Sequence, residues 1–329
     1  MLWNADIPVK YPHRAATLCA ALLLCLFAGR AGAADFSRES VGTTSGSFLQ
    51  IAVSARCAAL GEACSALADD ASALYWNPAG LIDVASNSVV LMHSSYLADT
   101  HFEYMAFAHN AQDVGAWGVS LQYMGMGTLA GMDDSGTSTG DFSPYDLAVS
   151  VGFSTYVSGL NKFPEERFVL GASAKIISSK ITQQDNTMAV DGGILTPYLF
   201  DKTLRMSLVF SNLMGTLRYY DETESLPVTI RLGSRIMMVD NLDITADLVA
   251  VQNNYPYLAM GGELRLPVYN NLTGALRLGF NTRAVSDYEG FHNITMGLGL
   301  AGRTVGVDYA FSPFGVIGSV HRLSCNIKF

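Results

Sequence analysis

From about Ser86 to the C-terminus, apolar and polar residues alternate with a period of two. In the last segment Leu323, Cys325, Ile327 and Phe329 alternate with Arg322, Ser324, Asn326 and Lys328. Residues 242–251 set Leu242, Ile244, Ala246 and Leu248 against Asp243, Thr245 and Asp247. Residues 147–154 set Leu147, Val149, Val151 and Phe153 against Ala148, Ser150, Gly152 and Ser154. A strand turns successive side chains to opposite faces, so each segment predicts a strand with one apolar face and one small or polar face. Fourteen such segments can be delimited: 86–95, 102–110, 115–124, 145–154, 167–179, 187–197, 203–211, 227–237, 242–251, 257–266, 272–281, 291–300, 303–311 and 319–329.

Counted back from the C-terminus, the connections 312–318, 282–290, 212–226 and 125–144 are long, and 301–302, 267–271, 238–241 and 111–114 are short. The connections 252–256 and 155–166 depart from this trend. An even strand number, with short turns on one side and longer loops on the other, predicts an all-β fold: a 14-stranded antiparallel transmembrane β-barrel. A soluble sandwich shares the period of two but has no reason to alternate its loop lengths.

Ser47–Leu81 follows another pattern. Leu60, Leu67, Leu74 and Leu81 recur every seven residues among many alanines, which predicts one or two short helices. Pro78 stops the helix and Gly80 permits a turn. Such a piece is either a small helical cap or a plug inside the barrel.

Composition sharpens the choice of environment. Half of the 329 residues are apolar, only 15% are charged, and 31 are glycine. Beyond the N-terminus no apolar run reaches the ~18–20 residues of a membrane helix. An apolar chain without such helices crosses a bilayer as a closed barrel, where every backbone group finds a partner. Near the N-terminus, Lys10, His13 and Arg14 precede the apolar stretch Ala15–Ala28, and Ala31-Gly32-Ala33 supplies small residues for cleavage. This reads as a secretory signal peptide. The expected division is a signal peptide at 1–34, an N-terminal plug or hatch at 35–85 and an outer-membrane barrel at 86–329.

The net charge of −9 argues against a nucleic-acid partner, since phosphate binding needs clustered Lys and Arg. Processing leaves Cys57, Cys64 and Cys325. Residues seven apart lie ~10 Å apart on a helix, so Cys57 and Cys64 can pair only if the chain turns between them. Asp69 and Asp70 are adjacent and face different directions on a helix, which suits capping or a salt bridge with Arg56 better than a metal. His93, His101, His109, His292 and His321 have no nucleophile elbow or metal-ligand spacing around them. Neither an enzyme activity, a metal nor a cofactor is expected.

Gly61–Leu81 reads GEACSALADDASALYWNPAGL. This resembles the plug-region pattern of the FadL-type outer-membrane transporter family: a Gly-x-Ala start, an Ala-Asp-Asp-Ala-Ser centre and an Asn-Pro-Ala-Gly-Leu end. Ser54-Ala55-Arg56 and Ala59-Leu60-Gly61 are similar to the PorV/PorQ-like branch and its uncharacterised spirochaetal relatives. The resemblance covers about 35 residues and places them just before the first strand, where the family has them. It implies a barrel plugged by a hatch, a hydrophobic small molecule such as a long-chain fatty acid or similar lipid bound in the lumen, and a sideways exit through the wall. It implies residence in the outer membrane, in contact with its lipid bilayer. For the PorV-like branch it implies a partner protein in secretion or surface attachment instead. The terminal Phe329 matches the signal read by the barrel-assembly machinery, an expected partner.

By the resemblance Asn77, Pro78, Ala79 and Gly80 fall on the hatch box; on their own chemistry they form a bend, with Asn77 bonding nearby backbone and Pro78 fixing φ. Trp76, Met105, Phe107, Met124 and Met126 are candidate hydrophobic-ligand contacts, with Tyr104, Ala106 and Tyr123 expected to face lipid. Gly125 and Gly127, at the end of the third strand, are candidates for a kink that opens the wall. With a hairpin centred at Val239, Arg231 is expected to face Asp247 and Arg235 to face Asp243. Glu263 with Arg277, and Asp308 with Arg322, complete a set of cross-strand ion pairs lining the lumen.

Overall fold

The computed structural model describes residues 43–97, 99–112, 114–157, 167–200, 203–219, 222–252, 254–283 and 292–329. The signal-peptide expectation and the first part of the expected plug lie outside the described residues. The strands in chain order are β1 (Asn87–Ser95), β2 (His101–Asn110), β3 (Ala116–Gly125), β4 (Leu129–Met132), β5 (Ser138–Phe142), β6 (Tyr145–Tyr156), β7 (Val169–Lys180), β8 (Gln184–Leu195) and β9 (Leu204–Leu213). They continue with β10 (Thr216–Tyr219), β11 (Glu222–Ser225), β12 (Thr229–Val239), β13 (Leu242–Val251), β14 (Tyr257–Tyr269), β15 (Leu272–Asn281), β16 (Ile294–Ala301), β17 (Val305–Pro313) and β18 (Ser319–Lys328).

Fourteen of these close into one antiparallel barrel in which every neighbour is the next barrel strand along the chain, and β1 seals against β18. The remaining four form two hairpins, β4–β5 and β10–β11, inside the long loops on one rim. The fourteen-segment alternation therefore corresponds to the barrel wall, and the hairpins went unseen because their loops carry no sustained period of two.

The outward face is apolar: Val151, Ile176, Leu232, Leu278, Leu298 and Leu323 are all exposed. That is a wall made for lipid, with aromatic pairs such as Phe107–Trp117 and Tyr123–Tyr145 near its two edges. The inward face carries Gly, Ala, Ser, Thr and paired charges. Among the described residues no helix is long and apolar enough to cross a membrane.

Residues 44–84 pack inside this wall. The helix Ala55–Ala59 touches β15–β18, while the 3-10 turn Pro78–Asp83 touches β2, β3, β6, β7 and β8 on the opposite side. Leu60, Leu67, Leu74 and Leu81 are all buried. Regular helix is shorter than the leucine spacing predicts: Ala55–Ala59 and Ala73–Trp76 are the α-helical pieces, joined by turns.

Candidate functional site

The N-terminal segment breaks its helix early because its backbone donors go to the barrel wall. Ala55 N donates to Ser324 Oγ (3.1 Å), Gly61 N to Thr295 Oγ1 (3.0 Å), Ser65 N to Asp247 Oδ2 (3.1 Å) and Ala71 N to Ser88 Oγ (3.1 Å). Irregular backbone at membrane depth is tolerated only where protein satisfies it. The Ser, Thr and Asp on the inner face therefore act as the segment's hydrogen-bond partners.

Inward glycines let it come this close. A Cβ on Gly171 would overlap the backbone of Pro78 and Ala79, and one on Gly193 would overlap Asn77 Oδ1. Across the lumen, a Cβ on Gly279 would overlap Gly61, on Gly297 it would overlap Ala59, and on Gly233 it would overlap Ser65 Oγ. The glycines thus form a girdle of sockets around the lumen, which take the segment's backbone at Gly171 and Gly279 and its short side chains at Gly193, Gly233 and Gly297.

Asn77 is fully buried at the start of the turn Pro78–Asp83. Its Oδ1 accepts from Ala79 N (3.0 Å), which caps the turn, and Pro78 supplies the first position without needing a donor. Its Nδ2 donates to the Ser65 carbonyl (2.9 Å) and the Ile194 carbonyl (3.4 Å). Gly80 sits against the Ala68 carbonyl, where a Cβ would lie 2.7 Å from the oxygen. The four residues thus hold the bend and lock it to β8.

Cys57 and Cys64 form a disulfide with their Cα atoms 5.7 Å apart. The chain turns between them through two left-handed residues, Gly61 (φ 64°) and Glu62 (φ 74°). Straight-helix geometry, the condition that argued against this bridge, does not hold there.

Charges tie the segment to the wall at β14 and at β9. Arg56 reaches Asp69 (2.7 Å) within the segment and grips Glu263 through Nε (2.8 Å) and Nη2 (2.9 Å). Glu263 also accepts from Arg277 Nε (2.7 Å), its direct cross-strand partner, and Arg277 reaches on to Asp308 (2.6 Å). Arg205 pairs with Asp83. Asp70 accepts from Ser72 N (2.8 Å) and Asn326 Nδ2 (2.8 Å), and burial followed by the neighbouring Asp69 pushes its carboxyl above the usual range against the smaller opposing pull of Ser72 and Arg56. A cavity of about 180 Å³ lies beside Arg56, Asp69, Glu263, Arg265 and Lys328, near the short-turn rim.

The expected ion pairs need correcting in register and in one partner. Arg235 holds Asp243 two-pronged (2.9 and 3.0 Å), and Arg231 lies 3.9 Å from Asp247. Neither pair is directly opposite: Arg231 faces Val249 and Arg235 faces Thr245. The pairing is displaced by two residues from that of a hairpin centred at Val239, which preserves the face and makes the pairs diagonal; next to the turn the register shifts again between Met237 and Val239. Asp308 and Arg322 do not pair. Asp308 faces Ser324 and bonds Arg277, whereas Arg322 faces Ala310 and donates to Ser312 Oγ (3.0 Å).

The ligand-contact expectation is corrected on β2. Met105 is 57% exposed on the outer face and Phe107 packs there against Trp117. Tyr104 and Ala106, expected to face lipid, point inward and are buried. Met124 packs against the lumenal core, Met126 is exposed at the rim, and Trp76 is buried, donating to the Val53 carbonyl (3.1 Å) with Arg231 over its ring. The kink expectation at Gly125 and Gly127 is also corrected. Pairing on β3 runs unbroken through Gly125, which faces His101 on one side and Tyr145 on the other, and Gly127 lies beyond the strand in the loop.

Comparison with known proteins extends this picture. A model of an uncharacterised protein family (UPF0164) matches residues 26–158. A UPF0164 protein of Treponema pallidum (strain Nichols) is 36% identical over 119 residues, which make up 33% of this chain and 28% of that protein. The aligned part thus spans less than a third of the relative's length. Among solved structures, the Ralstonia pickettii toluene transporter TbuX superposes with a TM-score of 0.53 at 13% identity, covering 83% of this chain and 97% of that one. The Pseudomonas putida toluene transporter TodX gives a TM-score of 0.54 at 11% identity, covering 82% and 95%. At such identities the likeness concerns the fold, which is that of the FadL-type transporters that the motif resembles.

Proposed function

We propose that this protein is an outer-membrane channel for hydrophobic molecules, with residues 35–85 as its plug and a long-chain fatty acid or similar lipid as its cargo. The observation that carries this reading is the way residues 44–84 fill the lumen. They are seated in glycine sockets and held by single hydrogen bonds and ion pairs to inward side chains. Contacts of that kind close a passage and can be exchanged one by one for contacts with a ligand. The shared fold with two toluene transporters supports a hydrophobic cargo.

A second reading, a PorV-like role in secretion or surface attachment, draws on the β4–β5 hairpin. It stands on the long-loop rim with Leu129 and Met132 exposed, a surface suited to a partner protein. Uptake assays in proteoliposomes separate the two. The channel reading expects saturable uptake of oleate or toluene above protein-free vesicles. Uptake equal to empty vesicles, together with a copurifying protein lost on deletion of 129–142, would transfer the assignment to partner binding.

A further inference from the structure

Backbone pairing closes the barrel along most of each strand, with one exception. β8 has twelve residues, but only Val190 and Gly192–Leu195 pair with β9, and the register slips between Val190 and Gly192. On its other side the same strand pairs with β7 along its whole length. Among the described residues, this is the seam in which pairing is confined to one end of a long strand.

The cause lies at the end of β9. Asn212 (φ 62°) and Met214 (φ 69°) both adopt the left-handed region, which swings the chain out of the wall. Asn212 is fixed in that state by buried bonds: its nitrogen donates to Asp191 (2.8 Å), and its side chain joins Lys175 (2.7 Å) to the Pro227 carbonyl (3.0 Å). The chain then continues as β10, alongside β8 but bonded to its inward side chains. Thr216 N donates to Thr187 Oγ1 (3.2 Å) and Arg218 N to Asp185 Oδ2 (2.6 Å).

The β10–β11 hairpin therefore leans over the lumen. Leu217 and Leu226 are fully buried against Gly46 and Leu49 of the N-terminal segment, and Ser45 N donates to the Ser225 carbonyl (3.0 Å). Beneath it lies a small cavity of about 20 Å³, lined by Leu49, Tyr75, Lys175, Asn212, Arg231 and Tyr257. On the outside of the seam Met188 and Met214 are 64% and 82% exposed.

We infer that the β8–β9 seam, lidded by the β10–β11 hairpin, is the inlet through which a hydrophobic molecule with a small polar head reaches the lumen. This rests on the channel reading above. Two flexible methionines offer an apolar approach. Unpaired strand edge is the weakest part of a barrel wall, since backbone bonds are what seal it. Lys175, held by Asp191 (3.0 Å), stands inside with Asn212 and Arg231, and a polar head would share the cations with their acids; the hairpin's bonds to Ser45 pass its movement directly to the plug.

The test is a reversible lock. Thr187→Cys with Thr216→Cys, in a Cys325→Ser background, joins hairpin to strand. Leu121→Cys with Val149→Cys, a directly opposed pair on the outer face, locks the paired β3–β6 seam as a control. Folding of each is checked by heat-modifiable electrophoretic mobility, and oleate and toluene serve as probes in proteoliposomes. Oxidation of the first pair should lower uptake at least tenfold, with recovery under dithiothreitol, while the control stays within twofold of the background protein. Background protein treated with dithiothreitol corrects for the native bridge. Unchanged uptake in the locked hairpin overturns the inlet and leaves the channel reading standing. No uptake by the unlocked protein overturns both.

Discussion

Asn77 shows how much one residue does in the lumen. It is fully buried and its side chain makes three hydrogen bonds, one within its own turn and two to the carbonyls of Ser65 and Ile194. Replacement by Ala strands those groups at a cost of about 1–3 kcal/mol. The expected result for Asn77→Ala is a barrel of unchanged electrophoretic mobility whose plug is cleaved ~5- to 100-fold faster by protease, as mass spectrometry of residues 60–84 would report. A cleavage rate equal to wild type would mean that the glycine sockets alone hold the box. The bend-forming chemistry of Asn77 and Pro78 was legible from residue type. The facing of Met105 and Phe107 was not, because on β2 they share the outer face with His101, Glu103 and His109, while Phe102, Tyr104, Ala106 and Ala108 turn inward, so the polar phase there is the reverse of that in the strands beyond it.

At the scale of elements, the Cys57–Cys64 bridge closes a short loop that contains both left-handed residues and lies between Arg56 and Ser65, two of the segment's anchors. Chain-entropy arguments give such a loop about 2 kcal/mol. Cys57→Ser with Cys64→Ser should therefore loosen the plug locally. Amide exchange in residues 55–66 is expected to quicken ~10-fold or more, with exchange in β14–β16 changing far less. Equal acceleration in plug and wall would show that the bridge supports the whole barrel. Strand positions were readable because alternation is local. The diagonal offset of Arg231 and Arg235 was not, since it depends on the register that the whole β12–β13 hairpin adopts.

For the whole molecule, the wall is a closed circuit of paired strands, thinnest between β8 and β9, whereas the plug is an insert that the wall accepts. Removing residues 47–84 should leave a barrel that still assembles, with its inward charges hydrated. In planar bilayers the deletion variant is expected to conduct ions in stable steps, while the intact protein stays closed. Failure of the variant to reach the folded mobility would make the plug part of the folding core.

The sequence by itself determined the wall: fourteen strands, an apolar outside and an antiparallel circuit follow from a period of two and from loop lengths, both of which are local properties. It also carried the box at Asn77–Gly80 and the presence of inward Arg, Asp and Glu. Only the tertiary structure decided which glycines are sockets, which acid each arginine meets, that Cys57 reaches Cys64, and that the wall thins between β8 and β9 and not at Gly125. The bridge depends on a local left-handed turn at Gly61 and Glu62 that residue type does not announce, and the others depend on how the wall's strands and the plug pair in space. A shift of one or two residues in strand register, invisible to local pattern, changes which glycines are sockets and which acid each arginine meets.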